Sequence, residues 1–341
     1  MPNLGIDLGT ANTLVYLASK GLVYNEPTAI AFDETNNSVI AFGKVADEMI
    51  GRTPPSIRVV KPLSTGVVSD YGAAQRFLSM VMDKTIKRSL FSPYNVVIGV
   101  PSRISGAEFK AMQDALSNSK IARIWAVQEP VAAAIGAGLD FTQPRGCLVI
   151  DIGAGTTDIA MLSLGRVVQS RSIKIGAEAL VTAFISHLNN EIRLNVGRKT
   201  AQAFLQEYGQ AYIKNSDKAL IQGIDMTRGL PVNKELSSSV TYEAIEATVS
   251  LIVTELKLLL DGVPPDLAAD ILNDGINLTG GGSLLNGLAE LISEKTGIPC
   301  RHVPDPLLAV VTGCGIISED TDKFKFILEA APSDPISAAR A

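Results

Sequence analysis

An aspartate and a glycine follow an apolar run at two places in the chain, and a second apolar run begins a few residues later each time. The first copy is GIDLGTANTLVYL at 5–17, and the second is LVIDIGAGTTDIAMLSL at 148–164. In each copy the acid, Asp7 or Asp151, ends a predicted strand, and the glycine lets the backbone turn sharply. The free N–H groups of such a turn form a concave set of donors that suits phosphate oxygens.

The two aspartates give these turns a further chemical property. A carboxylate beside a polyphosphate is repelled unless a cation lies between them. Mg²⁺ retains several water molecules while it binds one or two carboxylates and phosphate oxygens. We therefore expect Asp7 and Asp151 to approach one Mg²⁺ from two lobes, through water. A single turn of this kind is more often a plain hairpin whose aspartate caps its own backbone, but the duplication favours a ligand site.

A third cluster of small residues strengthens this interpretation. In LTGGGSLL at 278–285, a predicted strand runs into glycines that allow the backbone to approach a flat ligand or its phosphates. Ser283 is the predicted N-cap of the helix that follows, and Gly297 is its predicted end. The sequence contains no GxxxxGK[ST] loop, and GAGTTD continues as a strand, which is not the Rossmann pattern. The predicted ligand-binding residues here are Gly280, Gly281, Gly282 and Ser283.

Short β-branched runs alternate with longer segments of helical periodicity, which predicts an α/β fold. The 341 residues exceed one ordinary domain, and the repeated turn indicates two related lobes with a cleft between them. The net charge of -5, without a basic stripe, argues against nucleic-acid binding. Three distant cysteines predict no disulfide and a cytoplasmic location, and two histidines cannot form a histidine-rich metal site.

Several segments carry a resemblance to a known family. The stretches at 7–13, 129–139, 151–160 and 278–285 resemble, in order and spacing, the two phosphate loops, the first connecting helix and the adenosine loop of the actin superfamily of ATPases. NEPTAIAF, KTGIPC and DPLLAVVTGCG are similar to segments of the MreB family of bacterial actins. The similarity covers roughly residues 3–318.

The resemblance implies an actin-like ATPase fold, with two duplicated lobes divided into four subdomains around a nucleotide cleft. The expected ranges are 1–30, 70–144 and 317–330 for subdomain IA, 31–69 for IB, 145–177 and 240–316 for IIA, and 178–239 for IIB, followed by a flexible tail at 331–341.

The resemblance also implies a function. It implies hydrolysis of ATP to ADP with Mg²⁺, and head-to-tail polymerisation into filaments, with a double protofilament and MreB-family paralogues as further expected associations. This chain's departures from the family pattern predict that the hydrolysis is slow. The filaments would lie on the anionic inner face of the cell membrane and influence cell shape. The alternatives are a small-molecule kinase and a non-polymerising nucleotide-dependent regulator on the same fold.

Roles for individual residues follow from the same resemblance. Glu129 matches the glutamate that orients the attacking water, with Thr156 assisting; the alternative for Glu129 is a helix-entry acid before a proline. Gln202 lies in QAFL, where the family usually has Glu-Arg-Ile-Lys, so Leu205 replaces a base. The first phosphate loop corresponds to Gly9, Thr10, Ala11 and Asn12, and the second to Gly153, Gly155, Thr156 and Thr157.

One loop is a candidate membrane contact. Leu90 and Phe91 follow two cations in IKRSLFSPYN, and an apolar pair beside cations suits an anionic membrane surface. The same loop inserts into membranes in the family that the chain resembles. The alternative is that both side chains pack into the local core.

Overall fold

The structure is a computed structural model, and it describes residues 3–86, 94–116, 121–212 and 217–330. The strands are β1 Asn3–Leu8, β2 Asn12–Leu17, β3 Gly21–Pro27, β4 Ile30–Asp33, β5 Ser38–Phe42, β6 Ile57–Val60, β7 Leu63–Ser64, β8 Val67–Val68, β9 Tyr94–Val100, β10 Ile121–Gln128, β11 Cys147–Ile152, β12 Thr157–Ser163, β13 Arg166–Ile173, β14 Leu194–Asn195, β15 Lys218–Asp225, β16 Leu230–Ser237, β17 Ile276–Thr279, β18 Cys300–His302 and β19 Glu329–Ala330. The helices are α1 Lys44–Met49, α2 Tyr71–Thr85, α3 Gly106–Leu116, α4 Glu129–Gly136, α5 Ala177–Asn190, α6 Arg198–Tyr208, α7 Ser238–Asp261, α8 Pro265–Asp274, α9 Leu288–Thr296 and α10 Ala309–Glu319, with a 3₁₀ turn at Gly281–Leu284.

Two large sheets share one plan. The first has the strand order β19-β10-β9-β1-β2-β3, and the second has the order β13-β12-β11-β17-β18. In each, an antiparallel meander (β1-β2-β3 or β11-β12-β13) continues through its first strand into parallel neighbours. The duplicated hairpin predicted from the sequence is confirmed. Because parallel strands end at the same edge, residues that follow β1, β9 and β10 are neighbours, and so are those that follow β11 and β17.

The two lobes share an apolar core at their base. Buried residues of α4 and α10 pack together with residues of both sheets, including Val97 and Val149. The helices cross at unusually short range, since a Cβ atom at Gly313 would overlap the carbonyl oxygen of Ala132. A Cβ atom at Gly136 would likewise overlap a main-chain oxygen of α10. The base of the molecule is therefore a tight helix crossing that only glycine permits.

Each lobe also carries a smaller outer sheet. The order β5-β4-β6 belongs to the first lobe, with α1 packed on it, and the order β14-β15-β16 belongs to the second, with α6 packed on it. The division into four subdomains remains a prediction. Its boundary between 316 and 317 falls inside α10, which is one continuous helix packed on β1 and β9 of the first lobe.

The segment after β17 differs from its prediction. Ser283 is not an N-cap: it lies in the 3₁₀ turn, and α9 begins five residues later, at Leu288. Gly280 and Gly287 have positive φ angles of 81° and 78°, so the chain turns twice before the helix begins. The predicted end of the helix at Gly297 is confirmed. In the described ranges, none of the helices is long and apolar enough to span a membrane.

Candidate functional site

The first predicted phosphate loop is a tight turn between β1 and β2. The N–H of Gly9 donates to the carbonyl oxygen of Asn12 at 3.0 Å, which closes the turn around Thr10 and Ala11. A Cβ atom at Gly9 would lie 2.7 Å from that same oxygen. Glycine is therefore needed here because of close backbone approach.

The second loop repeats this geometry between β11 and β12. The N–H of Gly153 donates to the carbonyl oxygen of Thr156 at 2.9 Å, the same four-residue closure as in the first loop. Gly155 at its tip touches the first loop, since a Cβ atom there would lie 2.6 Å from Thr10 Oγ1. The structure thus brings the two predicted loops together, one from each lobe.

A third segment, which sequence reasoning missed, lies against both loops. Thr65 and Gly66 form the tip of the β7–β8 hairpin, and the N–H of Gly66 donates to Thr10 Oγ1 at 2.9 Å. Thr65 lies so near the second loop that its Cα would be 2.6 Å from a Cβ atom on Gly155. The positive φ angles of Thr65 (48°) and Gly66 (76°) mark this tight turn, but the motif TG gave no specific signal.

Two acids of the first lobe meet at the carboxyl ends of its parallel strands. Asp7 of β1 pairs in register with Gly99 of β9, and Val127 of β10 pairs with Gly99 from the other side. Glu129 follows immediately as the first residue of α4, and its Cγ would lie 3.6 Å from a Cβ atom on Gly99. The absence of a side chain at Gly99 gives Glu129 room beside Asp7.

Two acids of the second lobe face each other across its hairpin. Asp151 of β11 and Asp158 of β12 are register partners, and both are almost fully buried. Sequence reasoning missed Asp158. The hairpin register could have revealed it, since residues at equal distances before and after a four-residue turn are cross-strand partners. Asp158 Oδ1 accepts the N–H of Ser102 of the first lobe at 2.7 Å, so this carboxylate also joins the lobes.

The four acids share one electrostatic environment. Desolvation raises the pKa of Asp7 to about 7. Burial, followed by the negative charges of Asp158 and Asp7, raises the pKa of Asp151 well above its usual range. The pKa of Glu129 is raised by burial first and then by the charges of the three other acids. Carboxylates that repel one another across the two lobes form a site that a cation would stabilise.

The acid cluster leaves one buried carboxylate oxygen available to a cation or to its bound water. Asp151 Oδ1 is buried and has no hydrogen-bond partner among the described residues. Throughout the described ranges, no three His, Cys, Asp or Glu side chains lie close enough together to hold a metal ion directly. Mg²⁺ commonly keeps several waters and takes few carboxylates, so Asp7 and Asp151 suit contact through water.

The predicted adenosine loop packs directly on the second phosphate loop. A Cβ atom on Gly280 would lie 2.6 Å from Asp151 Oδ1, and one on Gly282 would lie 3.0 Å from the Ile152 carbonyl oxygen. Ser283 is fully buried and donates to the Gly280 carbonyl oxygen at 2.7 Å. Ser283 therefore stabilises the loop from inside, while Gly281 lies more exposed beside it.

Other predicted site residues lie in different surroundings. Thr156 shares a side-chain hydrogen bond with Asp158, which places its hydroxyl among the acids. Thr157 is fully buried and its hydroxyl donates to the Ile175 carbonyl oxygen at 2.7 Å, so its side chain supports the fold and leaves no surface for a ligand. Gln202 is exposed on α6.

The remaining predictions concern Leu205 on α6 and the candidate membrane loop. Leu205, which replaces a base of the related pattern, is buried in the core of the second lobe. Leu90 and Phe91 lie outside the described residues.

Comparison with known proteins identifies the family. The family model described as MreB/Mbl protein matches residues 1–326. The chain belongs to the MreB/Mbl family. Among its MreB/Mbl relatives, the cell shape-determining protein Mbl of Bacillus subtilis (strain 168) is 37% identical over 322 residues, covering 94% of this chain and 97% of Mbl. The cell shape-determining protein MreB of Escherichia coli (strain K12) is 35% identical over 326 residues, with 94% of each chain covered.

Two solved structures agree with the fold. The crystal structure of MreB5 of Spiroplasma citri bound to AMPPNP superposes with a TM-score of 0.89 at 33% identity, covering 94% of this chain and 97% of MreB5. The MamK double helical filament, at 22% identity and a TM-score of 0.80, supports the actin-like fold alone. The chain is thus a bacterial actin of cytoskeletal type, and the alternative of a kinase or a non-polymerising regulator is not favoured.

The acid cluster predicts a pH dependence of stability. We expect the nucleotide-free protein to lose about 1 kcal/mol or more of unfolding free energy as the pH rises from about 4 to about 7. In this window folded Asp7, with its pKa raised from 3.8 to about 7, retains a proton that the unfolded chain releases, so deprotonation favours unfolding. Urea unfolding at both ends of the window measures the change. Asp7→Asn should reduce it, and an equal pH dependence of both proteins would contradict the prediction.

Proposed function

We propose that this chain binds ATP and ADP with Mg²⁺, hydrolyses ATP slowly, and polymerises head to tail into filaments at the inner face of the cell membrane. The observation that carries the proposal is the convergence of two turns, one from each lobe, on the four acids. The two turns are closed by the same type of backbone hydrogen bond. The structures of MreB5 bound to AMPPNP and to ADP support a nucleotide ligand for the same fold.

Different residues would contact the phosphates, the Mg²⁺ and the base. The N–H groups of Thr10, Ala11 and Gly155 are placed on the two turns, where they can donate to phosphate oxygens. Asp7 and Asp151 would hold Mg²⁺ through water, and the bound ion would supply the positive charge that neutralises the phosphates and the acids. The exposed backbone around Gly281 is suited to contact with the base.

Glu129 is the proposed water-orienting residue. As a carboxylate it can accept a hydrogen bond from a water molecule and align it with the terminal phosphate, because phosphoryl transfer depends mainly on positioning and charge neutralisation. The raised pKa of Glu129 favours its neutral form in the ligand-free protein. A cation that enters the site with the nucleotide would favour the ionised form of Glu129, because it would offset the burial and the neighbouring charges that raise the pKa of this group. Thr156 supports this arrangement from the second loop through its bond to Asp158.

We expect slow turnover, and we also expect altered nucleotide affinity because an acid and a base of the family pattern are replaced by Gln202 and Leu205. Gln202 can hydrogen-bond a ribose hydroxyl, but Leu205 offers no charge and is buried in the core. The predicted kinase alternative would require an acceptor substrate, so phosphate release from ATP in water alone would argue against it.

Filament formation is the testable part of the proposal. A head-to-tail contact that does not close into a ring produces an open polymer. We expect ATP-dependent sedimentation and filaments visible by electron microscopy on a lipid layer containing anionic phospholipid. The Leu90→Ser/Phe91→Ser variant should retain sedimentation in solution and lose most lipid attachment, because the apolar pair supplies the burial. Absence of filaments at every protein concentration, with and without lipid, would refute the polymerisation proposal.

A further inference from the structure

We propose that two ion pairs across the outer cleft, Lys199 with Asp47 and Lys61 with Glu178, form a latch that controls how fast nucleotide leaves. We refer to these two pairs as the rim latch. The proposal rests on the proposed nucleotide binding and adds a regulatory element to that site.

The first pair joins the two outer regions of the lobes. Lys199 lies in the first turn of α6 in the second lobe, and Asp47 lies on α1 in the first lobe. Lys199 Nζ is 2.7 Å from Asp47 Oδ2, and it also donates to the main-chain oxygen of the same residue. Both side chains are mostly shielded, with exposed fractions of 36% and 27%. One lysine thus binds two acceptors on the opposite lobe.

The second pair lies closer to the phosphate loops. Lys61 Nζ of the first lobe is 3.0 Å from Glu178 Oε1, on the first turn of α5 in the second lobe. The N–H of Glu178 donates to the carbonyl oxygen of Ala154 at 2.8 Å, and Ala154 belongs to the second phosphate loop. The pair therefore connects the first lobe to the loop that would hold the phosphates.

The space beside these pairs is a cavity between the lobes. It measures about 440 Å³, and its lining includes Thr65 of the first lobe, Gly155 of the second phosphate loop, and Glu178 and Arg198 of the second lobe. The cavity thus extends from the second phosphate loop to Glu178 of the Lys61–Glu178 pair. A ligand leaving the loops on this side would pass Glu178, which is the latch residue that lines the cavity.

The rest of the interface explains why the latch would control opening. At the base, α4 and α10 cross at backbone contact and share an apolar core with both sheets, so separation there would expose apolar surface. A third cross-lobe ion pair, Lys174 with Glu108 at 3.6 Å, is longer, and the lysine is 67% exposed. Rotation of the lobes about the base would thus break the two rim pairs at the outer cleft, together with the Ser102–Asp158 hydrogen bond and the Gly155–Thr65 contact near the loops.

The size of the effect follows from the exposure of the pairs. Partly exposed ion pairs are worth little individually, so loss of either pair should accelerate nucleotide release about two- to fivefold. Charge reversal adds repulsion, and we expect about tenfold faster release for Lys199→Glu. Added salt should accelerate release more from the wild type than from a variant without the latch, since salt screens the charges on the nucleotide in both proteins but weakens the rim pairs only in the wild type.

A charge-swap experiment tests the latch directly. Release of a fluorescent ATP analogue, chased with excess ATP, is measured for the wild type, Lys199→Glu, Asp47→Lys and the double variant. Both single variants should release faster, and the double variant should return most of the way to the wild-type rate. The matched control is Lys218→Glu, which breaks an exposed ion pair with Glu235, at 2.9 Å, inside one lobe. Unchanged release in both single variants, or no recovery in the double variant, would overturn the proposal.

A second measurement separates the latch from nucleotide binding. Small-angle X-ray scattering of the nucleotide-free protein should give a larger radius of gyration for Lys199→Glu than for the wild type, the double variant or the Lys218→Glu control. Urea unfolding verifies that all variants remain folded. If the wild type binds no ATP analogue, the proposed function fails, but the scattering comparison still tests the latch. An unchanged radius would refute it.

Discussion

Replacement of Glu129 by alanine is expected to reduce ATP hydrolysis about 10²- to 10³-fold while nucleotide binding is largely retained. Glu129 begins α4 beside Asp7, and the missing side chain at Gly99 gives its carboxylate room in the cluster of four acids. The two phosphate loops and the adenosine loop do not include Glu129, so its removal affects water orientation more than affinity. Phosphate release and binding of a fluorescent ATP analogue measure the two quantities.

Glu129→Gln separates loss of the charge from loss of the side chain, because glutamine preserves the size of the residue and its position at the start of the helix. It lacks the carboxylate that accepts and aligns a water proton, so it should also hydrolyse slowly. If both variants hydrolyse at the wild-type rate, Glu129 is a helix-entry acid only. Such a result would favour a nucleotide-dependent regulator whose cycle does not depend on this carboxylate.

Gly313→Ala is expected to destabilise the protein by about 3 kcal/mol or more. The added Cβ atom would overlap the carbonyl oxygen of Ala132, and neither backbone can move without disturbing the core between the two sheets. A loss of this size is a large part of the typical stability of a folded domain. Urea unfolding measures it, and low soluble yield is expected at growth temperature.

Gly106→Ala provides the corresponding control. Gly106 begins α3, and an added Cβ atom would meet no heavy atom within 4 Å. Alanine is favoured over glycine in helices, so this variant should be neutral or slightly stabilised. Equal urea midpoints for Gly313→Ala and Gly106→Ala would contradict the tight crossing of α4 and α10.

The sequence predicts those parts of the site that depend on local pattern. Asp7 and Asp151 were identifiable because each lies in a repeated strand-turn-strand unit, and the structure places both where that unit requires. Family resemblance indicated Glu129, which the parallel strands β9 and β10 then bring beside Asp7.

The parts that the sequence could not predict depend on tertiary contacts. Thr65 and Gly66 approach the phosphate loops because a separate hairpin packs between the lobes, and nothing in their local sequence indicates this. Ser283 has the residue type of an N-cap, but the positive φ angle of Gly280 turns the chain into a 3₁₀ segment first. Thr157 follows the pattern of a phosphate loop, yet its position at the start of β12 directs its hydroxyl into the protein.

The backbone contact between α4 and α10 has a mechanical consequence for a subunit within a polymer. Tension that pulled the two lobes apart would act on a base where the glycine positions hold the two helices at a fixed separation. Load would therefore be absorbed by side-chain contacts far from the crossing, which can break and re-form in water. A subunit built in this way can yield under strain and recover its shape without exposing its apolar interior.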